Sequence, residues 1–161
     1  MVFSFGMIKI MKVHFICHGN VLRSLIAETY LKSLNLKDVS VISSGTNVNW
    51  EDPQEQEYFA NTLAVLDRHG LKSFAKSRPE QLTQERIDSY HDIVALMNQR
   101  VVDEAERIVK LPSTVHDWEI IDIGEGHRID KDSRESYEEE IYQEITQKVD
   151  ELFKFRRQNS L

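Results

Sequence analysis

The chain has 161 residues, 40% of them apolar, which is enough for one substantial core and too little for two. Its 27 acidic against 20 basic side chains, net −7, repel polyanions and exclude nucleic acid as a natural partner. A single cysteine excludes an internal disulfide framework and any zinc site built on several thiolates, and it fits a reducing compartment such as the cytoplasm.

At the start, "MVFSFGMIKIM" is only faintly like a signal sequence: the apolar part is short, no positive cluster precedes it and no small-residue cleavage site follows. Residues 1–10 therefore read as an N-terminal extension, and residues 11–161 as one domain. No later stretch is long or apolar enough to span a bilayer. "KVHFIC" (12–17) carries the β-branched and aromatic residues of a strand, and Leu22, Ile26, Tyr30 and Leu34 follow at helical spacing. That order is strand, tight loop, helix. "DVSVISSG" predicts a second strand ending in a turn, and Phe59, Leu63 and Leu66 ahead of Gly70 predict a helix with a glycine C-terminal cap.

"HDIVALM" (91–97) predicts a third strand, Asp103 to Arg107 a charged helix, and "RIVKL" a fourth strand. In the last segment Tyr137, Ile141, Ile145, Val149 and Leu152 trace one apolar stripe, with Ser136 and Glu139 spaced as a capping box. Lys154, Arg156 and Arg157 beyond it read as a solvated helix end. There is no internal repeat and no low-complexity linker. Strands alternating with helices predict an α/β fold, a single-domain three-layer sandwich with a four-stranded parallel sheet and helices on both faces. Such sheets bind ligands beyond the carboxyl ends of their strands, where Cys17 falls.

The loop after that strand, "CHGNVLRS" (17–24), has the chemistry of an anion cradle. A tight turn from strand to helix aims successive N–H groups at one point, and the helix dipole adds positive potential there. Gly19 and Asn20 tolerate left-handed backbone, and Arg23 offers a planar fork for two oxygens of a tetrahedral anion. The same field favours the thiolate form of Cys17, which lies beneath the bound group as a nucleophile. Ser24 can donate to that thiolate or cap the helix. The bland alternative is that Cys17 is a small buried hydrophobe ending a strand.

These residues resemble the C-x-G-N-x-x-R-S phosphate loop of the low-molecular-weight protein tyrosine phosphatase family, and Ala27 and Glu28 continue the match. "ISSGT" (42–46), "VLDRHGL" and "DIVALMN" resemble later segments of that family, so the likeness covers most of the chain from Met11 onward. The resemblance implies that Cys17 attacks phosphorus, that Arg23 binds the equatorial oxygens, and that His18, Gly19, Asn20, Val21, Leu22 and Ser24 complete the phosphate loop. It also implies an aspartic acid that protonates the leaving group. The family writes that residue as Asp-Pro-Tyr, whereas this chain reads "WEIIDIGEGHRID". Asp122 is the best positional match, with Asp117, Glu125 and Asp130 as competitors. Leu25 and Asn98 also depart from the family pattern, in which Pro and Asp are usual.

Val21 stands where the family's tyrosine-directed members tend to carry a bulky aliphatic and its arginine-phosphate members a threonine, so the resemblance leans toward phosphotyrosine, and Trp50 resembles an aromatic residue at the rim of the pocket. The six histidines show no ligand spacing, so neither metal nor other cofactor is expected. The expected partner is a phosphorylated protein or a small aryl phosphate, with no nucleic acid and no membrane, on a monomer or weak dimer. Two other readings stay open. One is a phosphate or phosphopeptide binder without turnover; the other is an arsenate reductase dependent on an external thiol.

Overall fold

The computed structural model describes residues 9–158. Strand β1 (Met11–Cys17) leads through the cysteine loop into helix α1 (Arg23–Ser33); β2 (Val39–Gly45) and α2 (Pro53–Arg68) follow. A 3-10 turn at Lys72–Phe74 precedes α3 (Gln84–Ser89), β3 (Ile93–Leu96), α4 (Gln99–Glu106) and β4 (Val115–Asp117). A second 3-10 turn, Lys131–Ser133, leads into α5 (Arg134–Gln158). The predicted α/β sandwich is thus present, with a four-stranded, all-parallel sheet in the order β2-β1-β3-β4.

Burial explains this order. Val13, His14, Phe15 and Ile16 of β1 are all fully buried, so β1 is covered on both faces as a central parallel strand must be. The three residues of β4 are all exposed and end the sheet at a short edge, which limits pairing with other chains. Helices α1 and α5 pack on each other. On α5, Ile141, Ile145, Val149 and Phe153 are buried, each worth roughly 1.5–3 kcal/mol relative to exposure. Gly70, at φ 73°, ends α2 as predicted: Leu71 N–H returns to Leu66 O (2.8 Å) and Gly70 N–H to Asp67 O (3.0 Å).

Three local expectations need correction. "RIVKL" is not a strand, because the amides of Ile108 and Val109 both bond to Ala105 O (3.0 and 2.9 Å) and finish α4 as a turn. The fourth strand lies further on, where exposure on both faces leaves no apolar pattern to read. Next, α5 begins at Arg134, before Ser136. Asp130 caps the preceding 3-10 turn, accepting from Asp132 N–H (3.1 Å) and from the Ser133 hydroxyl (2.9 Å). Ser136 and Glu139 therefore sit inside the helix rather than forming a capping box, and Glu139 meets His69 Nε2 (2.6 Å) instead. The stripe is also broader than predicted, with Tyr137 and Leu152 half-buried and Tyr142 and Phe153 taking the buried positions.

Of the basic trio near the end, Lys154 is exposed; the side chains of Arg156 and Arg157 lie outside the described residues, as do residues 1–8 of the predicted extension. Among the described residues no helix is long and apolar enough to cross a membrane.

Candidate active site

Cys17 is the last residue of β1, in register with Gly45 at the end of β2, so the loop that follows it opens at the carboxyl edge of the sheet. A pocket of about 200 Å³ forms there, lined by Cys17, His18, Gly19, Val21, Leu22 and Arg23 of the loop and by Glu55, Tyr58, Asp122, Ile123 and Arg134 from three other segments. Helix α1 has no side-chain cap, which leaves the first amides of its N-terminus for a ligand. Asn20 N–H points at Cys17 Sγ (3.2 Å) and Ser24 Oγ lies 2.9 Å from the same sulfur. Both contacts hold the sulfur at the floor of the pocket. Of the two uses open to Ser24, the sulfur contact is the one adopted.

The loop is held from behind. Asn20 takes the left-handed backbone (φ 57°), and Gly19 does not, so the conformational demand falls on the asparagine alone. Its side chain justifies the choice: Nδ2 donates to Ser24 Oγ (2.7 Å) and Ser43 Oγ (2.9 Å), and Oδ1 accepts from Glu80 N–H (2.9 Å). Asn20 and Ser24 are thus fully buried supports and not part of the pocket lining. Thr46 N–H and Asn47 N–H bond to the carbonyls of Cys17 (3.0 Å) and His18 (2.9 Å), which ties the loop to the chain leaving β2.

Gly45 permits that approach. A Cβ there would stand 2.8 Å from His18 O and 2.9 Å from Asn20 N, both backbone atoms. Further back, Lys76 Nζ and Arg86 Nη2 both donate to Ser43 O (2.9 Å each), and Arg86 Nε donates to Ser44 Oγ (2.8 Å). Sequence reasoning missed Lys76, Arg86 and the steric role of Gly45, because their partners lie roughly 20 to 40 residues away in the chain.

Arg23 is almost wholly buried and already partly engaged. Its Nη1 donates to Ile120 O (3.0 Å) and its Nη2 to Asp122 Oδ2 (3.0 Å), while Ile123 N–H fixes the other Asp122 oxygen (2.8 Å). Asp122 therefore lies in the pocket beside the guanidinium. Its sequence competitors lie elsewhere: Asp117 accepts from Glu119 N–H (2.9 Å), Glu125 pairs with Arg100 (2.6 Å), and Asp130 caps its 3-10 turn.

One expectation about the pocket wall changes. Trp50 is not in the lining; it packs edge-on against Phe59 (centroids 5.3 Å apart). The aromatic ring at the pocket is Tyr58, with the Arg134 guanidinium stacked 3.7 Å from its centroid. His18, in the loop as expected, is also held from the side: its Nδ1 sits 2.6 Å from Glu104 Oε2, which also accepts from Thr46 Oγ1 (2.6 Å). Glu55 was not anticipated. Its pKa is raised, first by burial and then by Asp52 and Asp122, with His18 and Arg134 opposing. Among the described residues no group of three or more His, Cys, Asp or Glu side chains is arranged to hold a metal.

Comparison with known proteins follows the same lines. The family model of low molecular weight phosphotyrosine protein phosphatases matches residues 12–160. Among solved structures, Wzb of Vibrio vulnificus, in complex with benzylphosphonate, superposes with a TM-score of 0.69 at 18% identity, covering 90% of this chain and 98% of that one. A low molecular weight phosphotyrosine phosphatase from Vibrio cholerae gives 0.68 at 15% identity, covering 94% and 99%. A thioredoxin-dependent arsenate reductase from Corynebacterium glutamicum gives 0.64 at 26% identity, covering 98% of this chain and 65% of its own. Comparison with curated protein sequences gives no significant match.

Proposed function

The chain belongs to the low molecular weight phosphotyrosine protein phosphatase family, and on that premise we propose that it hydrolyses phosphate monoesters, protein phosphotyrosine foremost, through a phosphocysteine formed on Cys17. One juxtaposition carries the reading: Cys17 Sγ, the uncapped start of α1, the Arg23 fork and the Asp122 carboxyl share a single pocket. A phosphoryl group entering it meets amide donors below and a guanidinium at the side. Sulfur bonds to phosphorus as the bond to the ester oxygen breaks, and that oxygen takes a proton from Asp122. Water then attacks the phosphocysteine and gives its proton back to Asp122, releasing phosphate and the thiolate.

Before substrate arrives, Arg23 holds Asp122. Incoming phosphate oxygens compete for the same guanidinium and so free the carboxyl to face the leaving oxygen. A thiol that must stay reduced places this chemistry in a reducing compartment such as the cytoplasm.

The test compares phenyl phosphate, a poor leaving group, with p-nitrophenyl phosphate, an activated one. Cys17→Ser is expected to abolish turnover of both while still binding phosphate. Asp122→Asn is expected to slow phenyl phosphate by roughly 10²-fold or more and the activated ester far less. Undiminished activity in the first variant, or equal losses on both esters in the second, overturns the respective assignment. Arsenate reduction, the activity named for the C. glutamicum neighbour, needs two electrons from a pair of thiols, and this chain has one cysteine, so it would require a thiol from outside. Arsenite formation without ester hydrolysis would favour it.

A further inference from the structure

Of the carboxyl and cationic groups that line the phosphate pocket, one is engaged by nothing else in the fold. Arg23 is bonded to Asp122, His18 to Glu104, and the Arg134 guanidinium lies over the Tyr58 ring with its Nε 4.0 Å from Glu138. Glu55 makes no hydrogen bond and no ion pair with any described residue, although it lines the pocket together with Cys17 and Arg23. A Cβ on Gly19 would stand 3.6 and 3.7 Å from its two oxygens, so the carboxyl lies against the phosphate loop itself.

The usual structural role of a glutamate at this place is also unfilled. Asp52 caps α2, accepting from Gln54 N–H (2.9 Å), which makes Glu55 the third residue of the helix. From there a side chain commonly turns back to the amide of the capping residue. Here that amide is taken by Asn49 O (3.1 Å). The Glu55 carboxyl is left among the groups that meet an incoming anion.

Two carboxyls, Glu55 and Asp122, thus share a cavity of about 200 Å³ with the anion bound there. An ionised Glu55 opposes a dianion, because like charges at close range in a partly buried site repel. A neutral one does the opposite, since its O–H donates to an anionic oxygen. Its surroundings favour the neutral form: burial first, then the charges of Asp52 and Asp122, raise its pKa above the ordinary 4.5. His18, Arg134 and the N-terminal dipole of α2 oppose that shift without reversing it.

Resting on the hydrolase reading above, we propose that Glu55 is a binding residue of the phosphate pocket and acts in its protonated form. A dianion enters together with one proton from solvent, which settles on a Glu55 oxygen and is shared with the anion as a hydrogen bond. Ionised Glu55 repels the same anion. Binding therefore weakens as pH rises, and the change resides in KM more than in kcat.

Sulfate is the probe, because it remains a dianion from about pH 4.5 to about pH 7.5 and so brings no titration of its own. Its dissociation constant is measured by calorimetry on the wild type and on Glu55→Gln, whose amide keeps the shape and a donor but cannot ionise. At about pH 4.5 the two should bind sulfate alike; at about pH 7.5 the variant should bind it about tenfold more tightly. A ratio of affinities that stays constant between the two pH values overturns the proposal, since a merely structural role moves both alike. The KM of p-nitrophenyl phosphate should follow the same ratio, and a change confined to kcat counts against the assignment. The sulfate titration needs no turnover. A chain whose ratio rises with pH yet hydrolyses nothing keeps the Glu55 assignment and loses the hydrolase reading; one that hydrolyses the ester at a constant ratio does the reverse.

Discussion

Gly45 shapes the site as strongly as the loop residues do. With loop backbone 2.8 to 2.9 Å from where a Cβ would sit, nothing flexible can yield, so any side chain there must push the phosphate cradle outward. Gly45→Ala is expected to lower stability by roughly 1–3 kcal/mol in urea unfolding and to cost most of the aryl phosphate turnover; wild-type turnover in that variant would mean that the loop shifts without penalty. The cradle itself was legible in the sequence because its parts are contiguous: Cys17, Asn20, Arg23 and Ser24 fall within one short stretch, and spacing within one turn-and-helix fixes their neighbourhood. The wall was not legible. Tyr58 and Glu55 reach the pocket from α2, a helix whose face toward the loop is decided by packing of Phe59 on Val21 and Leu25, and the same packing draws Trp50 away from the rim. Asp122 was singled out by position alone, and its contact with Arg23, 99 residues distant, was not legible.

Among the elements, strands β1, β2 and β3 and helix α5 were readable because burial imposes a pattern on them. Edge strand β4 was not, because exposed residues carry no such imprint, and "RIVKL" offered a better-looking run nearby. Asn98, a departure from the expected Asp, still serves the fold, for its Oδ1 accepts from Val101 N–H (3.1 Å) as the N-cap of α4. Asn98→Ala is expected to lower the unfolding free energy by about 1 kcal/mol, with Asn98→Asp nearly neutral because either side chain supplies the capping oxygen. Urea unfolding midpoints check both, and an alanine variant as stable as the wild type would show that the cap is idle.

For the whole molecule, the acid response is set partly by His14 in the middle of the sheet. Its side chain is fully buried with Nε2 2.7 Å from Ser44 Oγ, and burial first, then the Arg86 charge, lowers its pKa from 6.5 to about 3. Between those values the unfolded chain binds a proton that the folded one refuses. The stabilisation is therefore complete above pH 6.5 and is lost as pH falls toward about 3, amounting to on the order of 5 kcal/mol at most. Glu138, raised above 4.5 mainly by burial, works in the opposite sense, its folded form losing ground as pH rises past that value. His14→Gln, which keeps a hydrogen-bonding amide and cannot titrate, should flatten the acid side of the stability profile relative to wild type; parallel profiles would place the acid sensitivity elsewhere.

The lone sulfur at the pocket floor has a further chemical consequence. If peroxide converts Cys17 to a sulfenic acid, the chain offers no second thiol to condense with it, so the oxidised state cannot be parked as an internal bridge. Recovery then depends on dissolved thiols small enough to enter a cavity of about 200 Å³, and wherever these run short the sulfur proceeds to sulfinic acid and the protein is spent.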